Sequence, residues 1–250
     1  MKLNAPAGHT LWNRLPEIMK EGPARQEWDR ENFFNEEFIS AMAEGALGGS
    51  LQRTAELMKN DPAFMDAKNM LDLGGGHALY SIAFTRMSPG LHATVMDLPH
   101  VVERVTNPTI ARHHADRVTT LSGDFTTDSL GSDYDLIFAS DVLYGGREQV
   151  THMLRRIHAA LGDSGTFVSK HLHIDDIGED AAAVFFDLMF SLTEEEERIY
   201  STDTFCDMLK ASDFAVERVY RPGAADPSSR IIRARKIGTD DFTRISSQVG

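Results

Sequence analysis

From about residue 67 onward the chain alternates short apolar runs with longer amphipathic ones, and no other feature constrains its fold as much. A short apolar run bounded by turn residues reads as a strand, and apolar residues three and four apart read as one face of a helix. Strands are expected at Asn69–Leu73, Ala93–Asp97, Val118–Ser122, Asp135–Ala139 and Thr166–His171. Helices are expected between them, near Tyr80–Met87, Val101–Val105 and Gln149–Leu161. Such alternation predicts an α/β fold with a mostly parallel sheet and right-handed crossovers. A further helix is expected at Thr202–Ala211. Two late strands follow, Ala215–Tyr220 and Arg230–Arg235, and the turn-rich "RPGAADPSS" between them suits an antiparallel hairpin.

Residues 1–60 read as helical. In "NEEFISAMAEGALGG" Phe38, Ile39, Met42 and Leu47 fall on one side and glycines end the helix; "SLQRTAELMKN" then opens a second one on a serine. The expected division is a helical cap over 1–60, an α/β domain over 61–236 and a polar tail over 237–250. The net charge of −13 argues against a broad surface for nucleic acid or an anionic membrane. The single cysteine, Cys206, excludes an internal disulfide framework and cysteine zinc motifs, and its apolar neighbours at helical spacing make it packing rather than a nucleophile. No run is long and apolar enough to cross a bilayer, and the N-terminus carries no signal-peptide pattern, so the expected compartment is the cytoplasm.

Chemistry concentrates at "MLDLGGGHA", a buried strand that runs into Gly74, Gly75 and Gly76 and then into a helix. Glycine permits positive φ and lets a ligand approach the backbone. At the carboxyl edge of a parallel sheet such a turn is a nucleotide-type binding place. The pattern does not complete G-x-G-x-x-G, because Leu79 stands at the third glycine, and no G-K-S/T follows to make a P-loop. Two acids strengthen the reading. Asp97 ends the second strand, where a carboxylate can accept from both hydroxyls of a ribose. Asp124 ends the third, where it can take an exocyclic adenine amine with Phe125 against the ring. The alternative for each is a turn or helix-cap residue.

The stretches "LDLGGGHALYSIAFTRMSPGLHATVMDLPHVV", "VTTLSGDFTTD" and "YDLIFASDVLYGGREQVTHMLRRIHAALGDSGTFV" resemble the S-adenosylmethionine-dependent small-molecule O-methyltransferases typified by plant caffeate and bacterial polyketide enzymes. "DLGGG" followed by "MDLPHVV" carries the most specific part of the resemblance, which covers about residue 11 to residue 236. It implies a Rossmann-like class I methyltransferase fold, a seven-stranded sheet with a C-terminal antiparallel hairpin and an N-terminal helical cap. It implies S-adenosylmethionine as cofactor and a small, apolar or aromatic acceptor. Asp72 and Gly74, Gly75 and Gly76 would cradle the methionine part. Asp97 with Leu98 would hold the ribose, Gly123, Asp124 and Phe125 would frame adenine, and Ser140 would approach the sulfonium. His77 would cap a helix start. Phe38 and Met42 on the pre-core helix, Arg147, and Phe186, Met189 and Phe190 in "FFDLMFSL" would line the acceptor.

Two departures from the family pattern stand out. The family carries about a hundred further N-terminal residues as a winged-helix dimerisation domain, and this chain starts where that domain ends; a dimer partner or partner chain is the corresponding expectation. The histidine that the family uses to deprotonate its acceptor is absent, and "SDVLYGG" puts Tyr144 there. Tyrosine, with an unperturbed pKa of about 10, is a poor base at neutral pH. In "SKHLHIDD" His171 and His173 point the same way in an extended segment and are the replacement candidates, with an upward pKa shift expected from Asp175 and Asp176. No metal-ligand pattern is recognisable. "TEEEERIYS" reads as a solvated acidic helix end. Relatives that keep the cofactor site but catalyse cyclisation or hydroxylation, and a cofactor-binding subunit of a split enzyme, are the other expected roles.

Overall fold

The computed structural model describes residues 13, 15–22, 34–176, 180–192, 198–223 and 228–238. The polar tail from 239, the apex of the "RPGAADPSS" turn, the acidic run 193–197 and most of the first 33 residues lie outside the described residues. In chain order the elements are α1 (Leu15–Glu21), α2 (Glu36–Gly45), α3 (Leu51–Met58), α4 (Pro62–Asp66), β1 (Asn69–Leu73), α5 (Leu79–Met87), β2 (His92–Asp97), α6 (Pro99–Val101), α7 (Asn107–Arg112), β3 (Val118–Ser122), β4 (Tyr134–Ser140), α8 (Arg147–Ala160), β5 (Leu161–Leu172), α9 (Ala181–Ser191), α10 (Thr202–Lys210), β6 (Phe214–Tyr220) and β7 (Ser229–Lys236).

The seven strands form one sheet in the order β3-β2-β1-β4-β5-β7-β6. Strands β1 to β5 pair in parallel, and β7 enters antiparallel between β5 and β6. The chain therefore runs outward from β1 to β3 and returns to place β4 on the other side of β1. The crevice at the carboxyl ends of β1 and β4 is the point where strand order reverses, which is where open α/β sheets bind ligands. Alternation along the central strands feeds two cores. Leu71, Leu73, Ile137 and Ala139 face one core, with Val150, Leu154 and Ile157 of α8 and Phe205 and Leu209 of α10. Met70, Leu136 and Phe138 face the other, with Tyr80 and Phe84 of α5, Met58 of α3 and Phe64 of α4. A central strand buried on both faces explains why β1 reads as continuous apolar sequence broken only by Asp72.

Several boundaries differ from the sequence expectation, each for a local reason. The glycines after α2 do not end it. The chain passes through a widened π turn, Ala46–Ser50, in which Gly49 has φ +130, and resumes as α3. Only glycine tolerates that φ, so Gly48–Gly49 bends the helix. Ser50 does not cap α3; its hydroxyl lies 3.2 Å from the Tyr80 hydroxyl. Leu47 and Met42 are 55% and 40% exposed, so of the expected apolar side only Ile39 is buried. The helix expected at Val101–Val105 is part of a longer run through a second π turn, Val102–Thr106. β5 begins directly at Leu161, but its regular pairing with β4 resumes at Thr166 after a register shift, which is where the apolar run begins. No helix among the described residues is long and apolar enough to cross a membrane.

One acid fastens the N-terminal helices to the far side of the sheet. Asp61 is 3% exposed; its Oδ1 accepts from the Ala63 amide at 3.0 Å, capping α4, and from Arg233 of β7 at 2.5 Å. The Tyr220 hydroxyl of β6 donates to its Oδ2 at 3.1 Å. Arg233 also pairs with Glu217 at 2.9 Å, so losing the Asp61 charge weakens its compensation without abolishing it. Asp61→Asn should therefore cost about 1.5–3 kcal/mol in urea unfolding at neutral pH, the worth of hydrogen bonds to a charged acceptor, with an unchanged slope on denaturant. A variant as stable as the parent would show that the clamp contributes nothing.

Candidate functional site

The turn after β1 is built from both ends. The Gly74 amide donates to the Met96 carbonyl at 2.8 Å, carrying the β1–β2 ladder one step past the strand. Gly74 has φ +66, which a side chain would resist, and a Cβ there would lie 2.7 Å from Val142 Cγ1. At Gly75 a Cβ would meet the Asp72 carboxyl carbon at 2.6 Å. Bare backbone is required at both positions, and it lies directly over a buried carboxylate. The Gly76 amide donates to Asp97 Oδ2 at 2.8 Å, the Leu98 amide to Asp97 Oδ1 at 2.7 Å, and the Thr106 hydroxyl to the Gly76 carbonyl at 2.6 Å. Ile39 of α2 packs on Gly76, with Cγ2 3.4 Å from a Cβ built there, so the pre-core helix covers the turn.

Two buried carboxylates stand at this turn, and both titrate high. Burial pushes Asp72 up to about 7; the neighbouring Asp97 charge adds to this, while the 2.6 Å hydrogen bond from Ser81 opposes it. Burial also raises Asp97, against the Leu98 and Gly76 amides and His100. A pair of close, desolvated acids favours a bound cation or hydrogen-bond donors. His77 takes the expected capping place, its Nδ1 accepting from the Leu79 amide at 3.1 Å, and burial lowers its pKa to about 4.

At the end of β3 the Asp124 side chain closes its own turn. Its Oδ1 accepts from the Thr126 amide at 2.9 Å and the Thr126 hydroxyl at 2.6 Å, while its amide donates to Asp128 Oδ2 at 2.8 Å. Gly123 donates to the Asp97 carbonyl at 3.0 Å, joining this turn to the ribose candidate. The Phe125 ring leans toward the glycine turn, with Cε1 3.4 Å from a Cβ built on Gly74. The four expected contact points, Gly74–Gly76, Asp97, the Gly123–Phe125 turn and Ser140, therefore stand at the carboxyl ends of four adjacent strands. Backbone bare of side chains, a carboxylate able to accept from a diol and an aromatic face fit a nucleoside cofactor.

The ends of β4 and β5 carry the catalytic candidates. Asp141, in the left-handed region at φ 55, accepts from the Tyr144 hydroxyl at 2.8 Å, Lys170 Nζ at 3.1 Å and Ser140 Oγ at 3.2 Å. Desolvation works to raise its pKa; the Lys170 ammonium, His171 and the bonds from Tyr144 and Lys170 outweigh it, and the carboxyl stays below its usual range. The Tyr144 oxygen also accepts from the Leu172 amide at 3.3 Å. Its hydroxyl proton is thus directed at Asp141.

Neither histidine lies at an open edge; His171 is 2% and His173 1% exposed. His171 Nε2 accepts from the Val142 and Leu143 amides at 3.1 and 2.9 Å, which puts the ring proton on Nδ1 toward Ser169 Oγ at 2.7 Å. Nε2 therefore holds the β4–α8 loop and Nδ1 is engaged with Ser169 of β5, which argues against His171 as a base. His173 Nδ1 lies 3.1 Å from the Tyr200 carbonyl, so it carries the proton, and its Nε2 is buried with no partner. It lines a small cavity with Leu143, Tyr144, Tyr200 and Phe205. Burial, the first cause in both, lowers His171 to about 3 and His173 to about 4. The upward shift expected from Asp175 is present at His173 but smaller than desolvation.

The acceptor candidates divide. The Phe190 ring packs 5.5 Å from Tyr144, whereas Met189 joins Ile18 and Leu192. Phe38 stacks edge-on with Phe34, Met42 and Phe186 are exposed, and Arg147 is exposed at the start of α8. Sequence reasoning passed over Asp141, Lys170, Ser81 and Thr106. Asp141 in "ASDV" was within reach, since an acid beside an expected sulfonium site bears on its charge. Among the described residues, no three His, Cys, Asp or Glu gather to hold a metal ion.

Comparison with known proteins follows this geometry. A family model described as an O-methyltransferase domain matches residues 24–215. An uncharacterised protein of Methanocaldococcus jannaschii is 34% identical over 164 residues, 66% of this chain and 43% of that protein. The L-tyrosine C(3)-methyltransferase of Streptomyces lavendulae is 28% identical over 61% of this chain and 42% of its own length. Human N-acetylserotonin methyltransferase, solved in complex with S-adenosylmethionine, has the same fold, with a TM-score of 0.74 at 23% identity over 93% of this chain and 68% of that one. The chain spans less than half the length of these two curated relatives.

The buried histidines make stability depend on acid. The folded pKa of His171, about 3, lies below its ordinary 6.5, so the unfolded chain takes up the proton first. Stability is then lost as pH falls below about 6.5, by about 1.4 kcal/mol per unit for this one group. In His171→Gln the amide oxygen can still accept from the two backbone amides, and the titration is gone. Its stability deficit in urea melts should shrink as pH is lowered from 6.5 toward 4.5; a constant deficit would mean that His171 titrates normally.

Proposed function

Because the chain belongs to the O-methyltransferase domain family, we propose that it binds S-adenosylmethionine and transfers the methyl group to a small-molecule acceptor, with oxygen as the receiving atom. The observation that carries this reading is the Gly74–Gly76 turn, bare of side chains and held on the Asp97 carboxylate at the strand-order reversal. The cofactor supplies an electrophilic methyl group on a cationic sulfur, so that much of the rate enhancement left to the protein is positioning.

In this reading the turn backbone and Asp72 hold the methionine part, and the ammonium group there offsets the two buried acids. Asp97, beside the Leu98 amide, accepts from the ribose hydroxyls. Asp124 and Phe125 frame adenine with Gly123, and Ser140 borders the sulfonium. Phe190, Phe186, Met189, Phe38 and Met42 offer apolar surface to an aromatic acceptor, and Arg147 an anchor for an anionic substituent. Tyr144, held by Asp141 and the Leu172 amide, orients the acceptor rather than deprotonating it. His173 is the histidine whose Nε2 is unshared, and it takes the acceptor proton. A second reading, transfer to carbon, is favoured by the placement of Tyr144 in the family histidine's position and by the relative that methylates C(3) of L-tyrosine. Attack by a ring carbon makes a smaller demand for a base at the moment of transfer.

Two outcomes follow. Calorimetry with S-adenosylhomocysteine should show one site, and Asp97→Asn should weaken it by about 1.5–3 kcal/mol, the worth of hydrogen bonds to a charged acceptor. Equal affinity in the variant would sink the ribose assignment. His173 must be neutral to accept a proton, and with a pKa near 4 it is neutral throughout the physiological range. Turnover measured by transfer of a labelled methyl group should therefore hold from neutral pH down to about pH 5 before falling. His173→Phe should lower kcat at every pH while leaving S-adenosylhomocysteine affinity unchanged. A full rate in that variant would favour transfer to carbon or catalysis by proximity alone.

A further inference from the structure

The guanidinium of Arg156 faces the carbonyl side of the turn that follows β3. Arg156 sits on α8, a helix fixed to the core by Val150, Met153, Leu154 and Ile157. One Nη donates to the Phe125 carbonyl at 2.6 Å and the other to the Asp128 carbonyl. The planar fork thus spans two carbonyls of one turn, a geometry lysine cannot reproduce. The same turn is closed from inside. Thr127 and Asp128 amides donate to the Asp124 carbonyl at 3.0 and 2.7 Å, and the Asp124 amide donates to Asp128 Oδ2 at 2.8 Å. At Gly123 a Cβ would lie 2.9 Å from Asp128 Oδ2, so the Asp128 carboxylate packs directly on bare backbone there.

Resting on the cofactor reading above, we infer that Arg156 is a positioning residue that sets the site's preference for adenine, through the turn that carries Asp124 and Phe125. It touches no part of the cofactor. By engaging the Phe125 carbonyl it turns that residue's ring toward Gly74 and Val142, and by engaging the Asp128 carbonyl it fixes the carboxylate that holds the Asp124 amide. Within the turn so held, the Thr126 amide and hydroxyl orient the Asp124 carboxylate at 2.9 and 2.6 Å. A carboxylate so fixed accepts from the amino group at purine position 6 and repels an oxo group there. A turn with freedom to shift distinguishes the two poorly. Hydrogen bonds from a side chain fixed on α8, not contact with the base, supply the rigidity that selectivity needs.

The test compares S-adenosylhomocysteine with S-inosylhomocysteine, which carries the oxo group, by calorimetry on the parent, Arg156→Met and Arg156→Lys. The parent should prefer the adenine ligand by about tenfold or more, as expected for one hydrogen bond to a charged group replaced by a repulsive contact. Arg156→Met should lose most of that preference, chiefly by weakening S-adenosylhomocysteine, and Arg156→Lys should retain part of it. Should Arg156→Met fail to fold, the lysine variant, which keeps the charge, carries the comparison. Equal weakening of both ligands, or an unchanged ratio, would make the arginine a structural prop and overturn the inference. A parent that bound neither ligand would instead overturn the cofactor reading, and this inference with it.

Discussion

The site depends on one hydrogen bond, from the Gly76 amide to the Asp97 carboxylate at 2.8 Å. Parallel pairing of β1 with β2 puts Leu73 opposite Met96, so Asp97 stands one residue beyond the last pair, level with the turn. The carboxylate is desolvated to reach it, and its raised pKa records that cost. In return the turn acquires a defined shape without any side chain of its own. Thr106 from the second π turn holds the carbonyl side of the same residue, and Ile39 closes over it. Four segments far apart in sequence meet at Gly76. A change in any of them moves the turn, and with it the surface offered to a ligand.

On the other side of the crevice the protein solves a different problem. The loop between β4 and α8 needs its amides satisfied, and His171 meets two of them with one nitrogen. That use demands a neutral ring, which burial enforces. Lys170, adjacent on the strand, points the other way and pairs with Asp141. Asp141 in turn accepts a hydrogen bond from the Tyr144 hydroxyl. The ionised acid and the lysine neutralise each other, so Tyr144 is oriented without being activated. Of the neighbouring histidines, His171 is spent on the loop and His173 is left with an unshared nitrogen.

Much of this was legible in the sequence because it rests on periodicity. β1 and β3 fall where the apolar runs place them, and the hairpin, the glycine turn and the acids at strand ends follow from local signals. What was not legible depends on long-range geometry. Nothing local tells that "GALGGS" widens into a π turn rather than ending a helix, since the Tyr80 contact that Ser50 makes is thirty residues away. The histidine pair misled for a related reason. Spacing correctly puts His171 and His173 on one side of the strand, but the charge of Asp175 is visible in sequence and the burial beneath Phe205 is not. Arg156 was silent because a guanidinium bonded to carbonyls leaves no partner residue type to search for.

The central claim is that the Gly76–Asp97 pair is the nucleoside anchor of a methyl-donor site. A crystal structure of the protein with S-adenosylhomocysteine tests it most directly. The account predicts both ribose hydroxyls within hydrogen-bonding distance of the Asp97 carboxylate, the homocysteine part along the backbone of Gly74–Gly76, and the sulfur beside Ser140. A ligand seated elsewhere, with Asp97 still bonded only to the Gly76 and Leu98 amides, would contradict it.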